Sequence, residues 1–203
     1  MRLKRSFFAF LLVALAVVQA GAARIFVNCP EGVSITTVNN GDAVSDDDMV
    51  INGVTWHVYS IDDGVETITV NGTQNGGNYT TGTLTNDDSD CANYFVRITG
   101  IQTPHSTQAA GTWSVERGVP LTETYFPDAN LRAAIAVKTE VSEGSVLTDE
   151  VLHYNDYWYT EDWWEPEYAD EWDSDWGEND LSGMNISSLT GMEYFNCYLG
   201  ITI

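Results

Sequence analysis

Met49-Val50-Ile51-Asn52-Gly53-Val54-Thr55-Trp56-His57-Val58-Tyr59 is the stretch from which the fold is read. Two apolar runs flank an Asn-Gly pair, and a two-residue type I′ turn needs positive φ at both central positions, which Asn and Gly adopt at least cost. The stretch therefore reads as a β-hairpin, with Val54, Trp56 and Val58 on one face of its second strand.

Similar runs occur at 25–27, 33–36, 67–70 closed by Asn71-Gly72, 79–84, 94–99 and 112–115. They are rich in Val, Ile, Thr and aromatics, are bounded by Gly, Asn and Asp, and lack helical periodicity up to Val119. About seven short strands at this spacing predict a mainly β fold, a small antiparallel β-sandwich over 23–119.

The ends of the charge scale are equally informative. Eight Lys plus Arg stand against 30 Asp plus Glu, a formal charge of −22. Nucleic acid is excluded as a partner, because a phosphate-binding surface needs basic side chains. Arg2, Lys4 and Arg5 precede an uncharged apolar run from Phe7 to Val18, and Ala20-Gly21-Ala22 has the small-x-small form of a peptidase site. Residues 1–22 read as a secretory signal peptide, too short in their apolar run for a membrane span. The protein is expected to be secreted or at the cell surface and not membrane-spanning. Cleavage after Ala22 leaves five basic against 30 acidic groups, a net charge of −25.

Export permits disulfides. Cys29 and Cys91 lie at both ends of the β region and are the natural pair, leaving Cys197 over.

The texture changes at Pro120. Phe126-Pro127-Asp128-Ala129-Asn130-Leu131-Arg132 places Pro at a helix start and Asp128 in the first turn, with Leu131 and Ile135 four apart on one face. Thr148 is a candidate N-cap for a second short helix through Val151 and Leu152. Residues 153–180 then form an acidic aromatic stretch, and between Tyr154 and Asp180 there are eleven carboxylates, nine Tyr or Trp residues and no basic residue.

Three blocks in order, Phe126 to Arg132, Gly144-Ser145-Val146-Leu147-Thr148-Asp149-Glu150, and Leu181-Ser182-Gly183-Met184-Asn185-Ile186-Ser187-Ser188-Leu189-Thr190-Gly191-Met192-Glu193-Tyr194-Phe195, resemble the opening of secreted bacterial leucine-rich repeat proteins of internalin type. The resemblance covers the N-terminal cap and the first repeat. It implies a helical cap at 120–152, the acidic stretch as an insertion, and a repeat remnant at 181–203 whose inward ladder is Leu181, Ile186, Leu189 and Met192. Asn179 and Met184 depart from the repeat pattern. One repeat before Ile203 reads as a truncated leucine-rich repeat, since a solenoid needs about three repeats to bury its core. An open ladder predicts self-association through the C-terminal repeat edge.

No catalytic motif is present. His57, His105 and His153 are scattered, and no G-x-S-x-G, H-E-x-x-H or phosphate loop occurs. Aligning 140–151 with a calcium loop puts Val151 where a bidentate Glu is required, so neither a metal nor a cofactor is expected. Trp158, Trp163, Trp164, Trp172 and Trp176, set among carboxylates, are the candidate ligand contacts, because aromatic faces stack on sugar rings while carboxylates accept hydroxyl hydrogens. The sequence reads as a non-catalytic protein-interaction protein of leucine-rich repeat type, with a protein partner. The alternative is a carbohydrate-binding or adhesive module for extracellular glycan.

Overall fold

The computed structural model describes residues 23–39, 41–42, 48–62, 65–85, 93–153 and 183–195. The strands in chain order are β1 (Ala23–Asn28), β2 (Val33–Val38), β3 (Gly41–Asp42), β4 (Met49–Ile51), β5 (Val54–Ile61), β6 (Thr67–Ile68), β7 (Val70–Gln74), β8 (Gly77–Thr80), β9 (Leu84–Thr85), β10 (Asn93–Thr103), β11 (Gly111–Arg117), β12 (Val119–Pro120) and β13 (Val146–Leu147). Two helices, α1 (Ala129–Thr139) and α2 (Asp149–His153), flank β13, and Met192–Tyr194 makes one 3₁₀ turn. The chain is mainly β, as the alternating runs predict.

The hairpin forms where it is read. Ile51 pairs with Val54 across Asn52 and Gly53, at φ 48° and 78°. A second such turn sits at Asn75-Gly76, and Asn71-Gly72 lies inside β7 instead of ending a strand. Packing explains the difference: a Cβ on Gly72 would fall 2.1 Å from the Ser34 carbonyl oxygen, so glycine is needed there for close approach to β2.

The antiparallel sandwich is corrected in its topology. Nine strands hydrogen-bond in one sheet, in the order β3-β2-β7-β8-β11-β10-β1-β5-β4. Two of the contacts, β1 with β10 and β8 with β11, are parallel. Parallel neighbours need long crossovers, which alternation and turn signals do not reveal. The sheet curls, so that Val38, Val70 and Tyr79 from its β2-β7-β8 side share a core with Ile25, Val27, Tyr59 and Val96.

The opposite face of β1, β5 and β10 carries Phe26, Trp56, Val58 and Phe95, and these meet Leu131 and Ile135 of α1, Leu147, Leu152, and Met192, Tyr194 and Phe195. Phe26 and Phe95 stack at 4.8 Å, and Trp56 meets Phe95 edge-on at 5.2 Å. The change of texture at Pro120 is thus a change from sheet to helix, and one core runs across it. Across this core the chain is stitched by Asn52 Nδ2 donating to the Thr124 carbonyl at 2.8 Å and by Leu121 N–H donating to Ser145 O at 2.8 Å.

Asp128 is the N-cap of α1, one position before the first turn, with extended backbone at φ −78° and ψ 120°. Its Oδ1 accepts from the N–H groups of Asn130 and Leu131, two of the donors that a helix start leaves without intrahelical partners. Lys138 in the last turn complements the dipole, and Leu131 and Ile135 face inward as their spacing predicts. Thr148 caps α2 through Oγ1, which accepts from Val151 N–H at 3.4 Å.

Candidate functional site

Among the described residues, polar and aromatic groups gather where the C-terminal block, residues 183–195, meets α1 and the sheet. Asp128 uses its second oxygen here: Oδ2 accepts from Ser187 N–H at 2.7 Å, Ser187 Oγ–H at 2.6 Å and Ser188 N–H at 3.2 Å. These donors, the Ser187 hydroxyl foremost, hold the carboxyl well below the usual carboxylate range. Asn130 Nδ2 donates to the Asn185 carbonyl at 2.8 Å, beside a backbone turn at φ 55°.

Tyr194 is the apolar centre of the junction. Its ring is within 5.6–6.1 Å of those of Trp56, Phe95, Tyr125 and Phe126, and its hydroxyl accepts from Trp56 Nε1–H at 3.2 Å. Burial pushes the phenol up to about 12, against the pull of the Trp56 hydrogen bond, so it stays neutral. Gly191, at φ 107°, lets the chain pass over Phe126. A Cβ there would fall 2.3 Å from Phe126 Cδ1 and 2.7 Å from the Tyr125 carbonyl.

A second buried polar group ties α2 to the sheet. Asp149 Oδ1 accepts from Phe95 N–H at 2.8 Å, and Oδ2 accepts from Arg117 Nε–H at 2.8 Å and from Arg117 Nη2. Burial pushes this carboxyl up, and the Arg117 guanidinium and the Phe95 N–H pull against it. Arg117 also donates to the Thr85 carbonyl and lies over the Tyr94 ring.

No family model, curated protein or solved structure matches the chain.

Of the expected repeat ladder, Met192 is buried, and Ile186 and Leu189 are half-buried against the same core. Leu181 lies outside the described residues, as do Trp158, Trp163, Trp164, Trp172 and Trp176. Residues 196–203, where an open edge would lie, are outside the described residues. Among the described residues, the block 183–195 packs against the sheet and α1, and its most buried large side chains are Tyr194 and Phe195. Their signal in the sequence is an apolar Tyr-Phe pair just past the ladder, beside an N-cap Asp with an oxygen to spare.

Cys29 is half-buried just past β1, and burial pushes its thiol up to about 12. Cys91 and Cys197 lie outside the described residues, so the expected Cys29–Cys91 pair is not placed. His57 is half-exposed on β5 and pairs with Asp48 at 3.0 Å. His105 packs beside Tyr79, and His153 ends α2. Among the described residues no three His, Cys, Asp or Glu side chains gather as a metal site would require. Nor, among them, is any helix long and apolar enough to cross a membrane.

Proposed function

We propose that this chain is an exported, non-catalytic protein-interaction protein of leucine-rich repeat type, in which residues 120–152 act as a helical cap on which the repeat remnant from 181 onward is built. One observation carries the reading. Members of the three sequence blocks that bear the resemblance meet in one core, where Phe126 and Leu131, Leu147, and Met192, Tyr194 and Phe195 are buried together, the third block more than 30 residues beyond the second. A cap does this work: it closes one end of a binding scaffold with its own buried side chains. The buried carboxylates in this region, Asp128 and Asp149, hold backbone in place, which is a structural and not a catalytic use.

The strong negative charge points to a protein partner with a basic surface, recognised by a salt-sensitive attraction. The test is to immobilise the full exported chain and probe it in parallel with a panel of extracellular proteins and a glycan array. Saturable protein binding that weakens with salt and is competed by soluble chain supports the proposal. Saturable glycan signals that disappear in Trp163→Ala/Trp164→Ala, without any protein ligand, overturn it in favour of a carbohydrate-binding module.

A further inference from the structure

Between His153 and Gly183 the chain runs through the 29 residues 154–182, with eleven carboxylates and no basic group. Fully extended, a segment of this length reaches on the order of 100 Å. The C-terminal block that follows is gripped through side chains: Asn130 on the Asn185 carbonyl, Asp128 on Ser187 and Ser188, and Trp56 on the Tyr194 hydroxyl. Its own backbone bonds close locally, from Met192 N–H to Leu189 O, Tyr194 N–H to Gly191 O and Phe195 N–H to Met192 O. The backbone bonds of the 3₁₀ turn are thus internal to the block, and side chains make its hydrogen bonds to the socket. It behaves as a plug, and its socket is built by Trp56, Phe95, Tyr125, Phe126 and Asp128.

We propose that this socket is an interaction surface for the same block of a second copy of the chain, so that two chains can exchange residues 183–195. The occupant follows from fit. The socket pairs a carboxylate oxygen with Ser187 and Ser188 donors, an indole N–H with a tyrosine hydroxyl, and an aromatic wall with a glycine that permits contact. Another chain's block meets all three requirements without any new contact, and the length of the connection permits its reach. An intramolecular partner on such a tether has an effective concentration on the order of millimolar. At micromolar protein the block therefore seats on its own chain. Exchange is expected when chains fold together near that concentration, and it gives the self-association expected from the sequence a different physical route, one that does not depend on pairing at a sheet edge.

The first test titrates a fluorescent synthetic peptide of residues 183–195 into the full chain carrying Gly191→Leu, whose own block is unseated by the clash with Phe126. Saturable binding of one peptide per chain is expected, with affinity at least about tenfold weaker for wild-type chain, where the socket is filled. A Tyr194→Asp chain, its sheet checked by circular dichroism, serves equally if Gly191→Leu does not fold. Absence of binding to both variants, equal binding to wild type, or unchanged binding of a peptide itself carrying Gly191→Leu overturns the proposal. The second test unfolds wild-type full chain and refolds it from about micromolar to about millimolar concentration. A dimer fraction that rises with refolding concentration and is lost in Gly191→Leu is expected. Monomer throughout, or a dimer that persists in the variant, overturns the exchange.

Discussion

Asp128 and Ser187, 59 positions apart, are joined twice, with Oδ2 accepting from the serine hydroxyl at 2.6 Å and from its N–H at 2.7 Å. The same carboxylate caps α1 through its other oxygen. A single side chain therefore fixes a helix start and the seat of a distant segment, and losing it should loosen both.

That linkage sets an acid response. The folded carboxyl is held below its ordinary value of 3.8, so its contribution to stability is present above that value and is lost as pH falls through the folded one. Amide exchange at Ser187 and Ser188 should quicken as pH drops below about 4, after correction for the intrinsic pH dependence of exchange. Asp128→Asn should show fast exchange at both amides even at neutral pH. Equal protection in wild type and Asp128→Asn would mean that the aromatic packing alone seats the block.

Tyr194→Phe removes the acceptor for Trp56 Nε1–H and leaves a buried indole N–H without its partner. The expected loss is about 1–3 kcal/mol in denaturant unfolding, the desolvation cost of a buried donor left unpaired. Tyr194→Ala adds a cavity among four rings and should lose about 3–5 kcal/mol. A loss in Tyr194→Phe indistinguishable from zero would show that water replaces the hydroxyl.

Arg117→Ala takes the guanidinium away from the buried Asp149 carboxylate, whereas Asp149→Asn keeps an acceptor for the Phe95 N–H. Breaking such a pair from one side costs about 3–5 kcal/mol, and the lower end applies because Arg117 keeps 25% of its side chain exposed. Arg117→Ala should thus be the more damaging of the two. The reverse order, read from urea midpoints at equal slopes, would place the stabilisation in the carboxylate's charge.

The Cys29 thiol, pushed up to about 12, is almost wholly protonated near neutral pH and sits half-covered just past β1. Since the thiolate is the reacting species, a thiol reagent at about pH 8 should modify it at least about 100-fold more slowly in the reduced folded chain than in the unfolded one. Non-reducing peptide maps of exported protein then decide whether Cys29 is joined to Cys91. Fast modification of the folded chain would contradict the burial.

Local chemistry along the chain determines much of this protein without any tertiary contact. The Asn52-Gly53 turn, the mainly β character of 23–119, the inward face of Leu131 and Ile135, and the Thr148 cap all rest on rules that act within a few residues. What the sequence did not disclose is which strands become neighbours. β1 lies parallel to β10 across some 65 positions of chain, and Gly72 serves a close approach to β2 where a turn was expected. Strand alternation reports the face of a residue and is silent about the partner on either side. The same limit applies at the junction. Asp128 was readable as a helix-start residue, but its second oxygen found Ser187 and Ser188, and Trp56 found Tyr194, only because the folded sheet and α1 built a socket between them. Capping and turn formation are set by residues that are adjacent in the chain, whereas burial of Tyr194 depends on four rings that tertiary packing alone brings together.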